Sequence, residues 1–104
     1  MEEQDMNISA KREGLTLTVL PEGRIDTLTA PIFEQWLEAE LGDTDRLVID
    51  FSKVNYISSA GLRVLLACAQ QMEDRGGSVK AVCVNDTLHK VFSLTGFLEI
   101  LNVD

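Results

Sequence analysis

The most constraining feature of this chain is a change of hydrophobic period. Arg46-Leu47-Val48-Ile49-Asp50-Phe51 is a short run rich in aliphatic and β-branched residues, which suits a strand covered on both faces. A few residues later Leu62, Leu65, Leu66, Ala69 and Met72 recur at helical spacing and make one apolar stripe. A buried strand that leads into an amphipathic helix needs a sheet for that helix to lie on. The pair therefore commits the chain to an α/β architecture.

The flanking sequence repeats the pattern. Ile8 and Ala10, then Leu15, Leu17 and Val19, alternate imperfectly about a Glu13-Gly14 turn signal and predict an opening β-hairpin. Thr29-Ala30-Pro31 puts a hydroxyl cap ahead of a proline in a first helical turn, the place proline tolerates best. That helix is expected over residues 30–41, with Ile32, Phe33, Trp36, Leu37 and Leu41 inward and Glu34, Glu38 and Glu40 in water. The second helix starts near Ser58-Ser59 and stops at Gly76-Gly77. Val79 to Val84 reads as another buried strand, Asp86 as the cap of a third helix that Gly96 ends, and Ile100 to Val103 as a last strand. The expected fold is one α/β domain over residues 1–104. Its mixed β-sheet opens with an antiparallel pair and carries helices mainly on one face. Met1 to Asp5 is expected to be a flexible acidic lead.

Composition narrows the function. A chain of 104 residues supports one core, and its 45% hydrophobic and 25% charged residues exclude a disordered or collagen-like chain. Nine Lys and Arg against seventeen Asp and Glu leave a net charge of −8, which repels a phosphate backbone, so no nucleic-acid partner is expected. No apolar run reaches the length of a membrane span, and the acidic start is unlike a secretion signal. The expected compartment is the cytoplasm, without membrane insertion.

The reactive residues do not assemble an enzyme. Cys68 and Cys83 sit in apolar segments without CxxC spacing and are expected to be buried thiols. His89, the one histidine, reads as a solvated surface residue. Gly76-Gly77 lies between a helix and a strand, the wrong order for a phosphate cradle. No catalytic residue, metal site or cofactor is expected. Asp50 at a strand end and Lys80 in a later strand loosely resemble the acceptor aspartate and lysine of a response-regulator receiver. The receiver's acidic pair is missing at Leu20-Pro21-Glu22, however, and Asp50 is expected to cap its strand or orient the next turn.

The informative stretch runs from Asp50 to Leu65. It places two hydroxyls, Ser58 and Ser59, and then two small residues, Ala60 and Gly61, at the start of the second helix, in a loop leaving a strand. One hydroxyl suffices for an N-cap, worth about 1 kcal/mol. The other is left on a surface nearly bare of side chains, open to a kinase or a partner's loop.

This stretch resembles the signature of the STAS domain, named for sulfate transporters and anti-sigma factor antagonists. There a strand ending Asp-aliphatic-Ser leads to a helix start of the form Asp/Ser-Ser-Ser/Ala/Thr-Gly-Leu. Gly23-Arg24-Ile25-Asp26-Thr27-Leu28-Thr29-Ala30 is similar to the family's motif at the first helix, and Phe92-Ser93-Leu94-Thr95-Gly96-Phe97 to its third-helix ending. The likeness runs from about Met6 to the C-terminus. Many relatives carry a further helix after the last strand; here that final C-terminal helix is expected to be absent, which leaves an apolar strip on the third helix or last strand for a weak homodimer to cover.

The resemblance implies an anti-sigma factor antagonist. Unphosphorylated, it binds an anti-sigma factor that is also a serine kinase and so frees sigma; phosphorylation releases the partner, and a serine phosphatase resets the switch. The implied phosphoacceptor is Ser59, with Ser58, which replaces the usual acid, as the alternative. Asp26, Ser58, Ser59, Gly61 and Arg63 form the implied partner-binding set, although Asp26 also reads simply as a turn or cap residue. The competing reading is a constitutive STAS scaffold subunit of a lipid-transport or signalling complex, without phosphorylation.

Overall fold

The computed structural model describes residues 6–104; the acidic lead expected at Met1 to Asp5 lies outside them. Strands β1 (Ile8–Glu13) and β2 (Thr16–Pro21) precede a short β3 (Gly23–Ile25) and helix α1 (Ala30–Glu40). Then come β4 (Arg46–Asp50), β5 (Val54–Ile57), α2 (Ser59–Asp74), β6 (Ser78–Val82), α3 (Asp86–Thr95) and a single-turn α4 (Phe97–Ile100).

The main sheet has the order β1-β2-β4-β6. β1 and β2 form the expected antiparallel hairpin, while β2–β4 and β4–β6 are parallel, each reached through a helix. Leu17, Val19, Leu47, Ile49, Val79 and Ala81 alternate onto one face and are buried there. Phe33 and Leu37 of α1 and Leu65, Cys68 and Met72 of α2 belong to the same core cluster. The other face stays partly open: the row Thr18, Val48, Lys80 runs across it, the first two only half-buried and Lys80 exposed. β4 and β6 are thus covered on one face, not on both as their apolar runs suggested, because every second residue is shielded only by its strand neighbours.

Three local expectations are corrected. Asn85, not Asp86, caps α3: its Oδ1 accepts from Leu88 N at 2.8 Å while its Nδ2 donates to Val54 O at 3.2 Å. A carboxylate has no proton for that second bond. Residues 100–103 do not form a strand. Gly96, in the left-handed region at φ 82°, turns the chain so that Phe97 stacks on Phe92 at 6.3 Å and α4 follows. The tail is tied to β6 by Ala81, which donates to Leu101 O and accepts from Asp104 N, and by Asn102 Nδ2, which donates to Val79 O at 2.8 Å. Cys83 is exposed, unlike the buried Cys68, because its own φ of 58° ends β6 and swings it out beside Asp50. That carboxylate's charge raises the Cys83 thiol pKa, whereas burial pushes Cys68 up to about 11.

The strip expected from a missing last helix reduces to one strongly exposed apolar residue on α3, Leu94, at 81% exposure. Single exposed leucines are ordinary on globular surfaces and define no interface. His89 is exposed, as expected. Among the described residues no helix is long and apolar enough to cross a membrane.

Candidate functional site

The start of α2 is built on a second sheet that the sequence reading missed. β3 and β5 pair in parallel, with Ile25 opposite Ile57. Beyond them Ser58 N donates to Ile25 O at 2.9 Å, which fixes the first residue of the α2 turn against the end of β3. Gly61 then rests on both isoleucines. A Cβ there would lie 2.7 Å from Ile25 Cγ2, 2.7 Å from Ile57 Cγ1 and 3.0 Å from Ile25 O. Gly61 is buried because the helix lies too close to these strands for any side chain at that position.

The two serines divide the work. Ser58 has the extended backbone of an N-cap, and its Oγ accepts from Gly61 N at 3.4 Å. Ser59 is the first helical residue, is exposed, and lies outside that cap bond. Replacing Ser58 with Ala is expected to cost about 0.5–1 kcal/mol, the low end for a long cap bond. Urea denaturation checks it; an unchanged midpoint would mean that the cap bond contributes nothing.

Asp26 is a turn residue placed beside this helix start. Its Oδ1 accepts from Leu28 N at 3.0 Å and Thr29 N at 3.1 Å, and Oδ2 faces Arg24 Nε at 3.5 Å. The Thr29 amide, opposed by partial desolvation and helped by the Leu28 amide, holds its carboxyl below the usual carboxylate range. Asp26 therefore stays ionised through the neutral range. Thr29, expected to cap α1 with its hydroxyl, does not: that hydroxyl donates back to Arg24 O at 2.6 Å and accepts from Asp26 N at 2.9 Å. α1 therefore has no side-chain cap bond, and the Asp26 carboxylate instead orders the turn ahead of it through the Leu28 and Thr29 amides.

Next to the serines but not lined by them, a groove of about 430 Å³ runs between α1 and α2, bordered by Thr27, Pro31, Glu34, Ala60, Arg63 and Val64 among others. Arg63 is exposed. On the outer side of the small sheet Arg24 stacks over Tyr56, its guanidinium carbon 4.2 Å from the ring centre. Tyr56 and the nearby Leu28 are 40% and 57% exposed. The sequence reading named neither Arg24 nor Tyr56 as a site residue. Only the parallel register of two very short strands brings them opposite one another.

Chemically this arrangement offers an exposed hydroxyl, at Ser59, near an open groove. Among the described residues no three His, Cys, Asp or Glu side chains gather as a metal site. Nor is it a receiver site: Asp50 turns its carboxylate to Ser52 N at 2.8 Å, while Lys80 pairs with Val48 in register and with Asp104 at 3.6 Å.

The STAS domain model matches residues 7–104, all but a few residues of the chain. The chain belongs to the STAS family. The STAS chain is 33% identical over 94 residues to BtrV of Bordetella bronchiseptica, named as an anti-sigma factor antagonist, covering 89% of this chain and 80% of that protein. Its fold matches the crystal structure of an anti-sigma factor antagonist from Thermotoga maritima with a TM-score of 0.87 at 21% identity, over 92% of this chain and 84% of the other. It also matches SpoIIAA of Bacillus, a cell-fate determinant solved in its phosphorylated form, with a TM-score of 0.74 at 15% identity, over 94% and 91%. These likenesses establish a mixed α/β STAS fold whose relatives include anti-sigma factor antagonists.

Proposed function

We propose that this STAS protein is an anti-sigma factor antagonist switched by phosphorylation of Ser59. The observation that carries the reading is the division between the serines. Ser58 is occupied as the cap, while Ser59 stands exposed at the first helical position with only Ala60 and Gly61 after it. A kinase can reach that hydroxyl without unfolding the helix. The names of the relatives, and the phosphorylated form in which SpoIIAA was solved, support the same reading.

In the unmodified state the surface formed by Asp26, Ser58, Ser59, Gly61 and Arg63 binds an anti-sigma factor that is itself a serine kinase, in the cytoplasm. Phosphate adds about −1.5 to −2 charges there. The amides at the helix start favour an anion by roughly 0.3–1 kcal/mol, so the fold tolerates the group while the partner's surface does not. A serine phosphatase restores binding.

The test is intact-mass spectrometry with site mapping after incubation with ATP and each candidate serine kinase of the same organism. One added phosphate is expected in wild type and Ser58→Ala, and none in Ser59→Ala. Loss in Ser58→Ala alone would move the acceptor to Ser58. No phosphate from any kinase, with a stable complex still recovered from cells, would favour a constitutive scaffold.

A further inference from the structure

Resting on the reading of Ser59 as the acceptor, we infer that Arg63 is a phosphate clamp: it closes on phosphorylated Ser59 and is thereby withdrawn from the partner groove. Three observations on the unmodified protein lead to this. Arg63 is four residues after Ser59 on α2, so the two share one helix face one turn apart. As a general rule long helical side chains can lean toward the N-terminus over the preceding turn, so a guanidinium at position 63 has the reach to meet a phosphate at position 59. Finally, Arg63 is exposed and makes no ion pair among the described residues, whose salt bridges join Lys11–Glu13, Arg24–Asp26, Lys53–Glu22 and Lys80–Asp104.

The order of charges is also the favourable one. An anion N-terminal to a cation at this spacing agrees with the helix dipole, and the reverse order does not. Guanidinium offers paired N–H donors that match phosphate oxygens, which an ammonium does not. Other charged groups lie close by. Glu34 on α1 lines the same groove, and Asp26, already held by the Leu28 and Thr29 amides and by Arg24, follows the strand end to which Ser58 is tied. Both are acids, and among the described residues Arg63 is the one cation lining that groove.

The consequence is a larger switch than phosphate alone provides. Before modification the groove rim presents a free cation. Afterwards it presents an anion, and the cation is turned back along the helix. The partner loses an attraction and gains a repulsion from one covalent event.

The experiment uses the full chain with phosphoserine encoded genetically at position 59, so that no kinase is needed and a failure of the phosphorylation reading is seen separately. ³¹P NMR titration gives the second pKa of the phosphate, ordinarily about 6. Wild type is expected to lie below Arg63→Gln by about 0.15–0.4, with Arg63→Lys in between. The Arg63 Nε proton is expected to exchange measurably more slowly in the phosphorylated protein than in the unmodified one. Equal phosphate pKa values in wild type and Arg63→Gln, or an Arg63 Nε signal unmoved by phosphorylation, would overturn the clamp. Arg63 is exposed, so both variants are expected to melt with wild type, which separates this effect from misfolding.

Discussion

Ser59→Asp is expected to weaken binding to the anti-sigma factor by up to about a thousandfold, while Ser59→Asn, nearly the same shape without the charge, loses far less. One unit charge facing a like charge at about 4 Å costs up to about 4 kcal/mol at an effective dielectric near 20. Ser59 is exposed, so on the proposed docking surface that charge would meet the partner and not the protein's own core. Isothermal titration with each protein at low and high salt measures the effect. Between about 0.15 and 1 M salt the Debye length shrinks from about 8 to 3 Å, so the gap between Asp and Asn is expected to narrow. An Asp variant that binds as tightly as wild type would remove electrostatics from the mechanism. Equal losses for Asp and Asn would make the effect one of shape.

Gly61→Ala carries the second large effect, on stability and through it on the site. The added methyl meets two isoleucine side chains at 2.7 Å and a backbone oxygen at 3.0 Å. Ile25 and Ile57 are buried at 0% and 6% exposure, so they have little room to move aside. Overpacking of this kind costs about 2–3 kcal/mol. For a domain of this size that is on the order of a 10 °C fall in melting temperature. Relief of the clash requires α2 to lift off β3 and β5, which strains the bond from Ser58 N to Ile25 O. Circular-dichroism melting is the check. A melting temperature within a degree or two of wild type would show that the strands yield freely and that Gly61 does not set the approach of the helix.

The legible parts of this protein are those whose cause is local. The hairpin, α1, α2 and β4 follow from residues a few positions apart: the period of the apolar residues, Pro31 in a first turn, and Ser58-Ser59 ahead of an amphipathic stripe. The candidate site was legible for a related reason, since a cap needs one hydroxyl and the sequence offers two. The resemblance to the STAS signature singled out the same residues, and the family match over residues 7–104 bears out that membership.

The misreadings have causes that lie far apart in the chain. Asn85 displaces Asp86 as a cap because Val54, from another strand, supplies an acceptor for its amide. Residues 100–103 have strand-like composition, but Phe97 finds Phe92 first, so that Ile100 ends α4 and residues 101–102 form the turn after it. Cys83 looked like a strand interior until its left-handed backbone and the nearby Asp50 placed it outside. β3 and β5 are too short to announce themselves by period, and each is a strand only because the other is there.

By itself the sequence determined the α/β class and the helix whose start carries the two candidate serines, because period, capping and charge are set by neighbours along the chain. Tertiary structure alone decided which serine is free, why position 61 has to be glycine, and that Asp26, Arg24 and Tyr56 stand beside the helix start. Each of these depends on β3 and β5 meeting under α2, a contact between segments about thirty residues apart that no local pattern encodes.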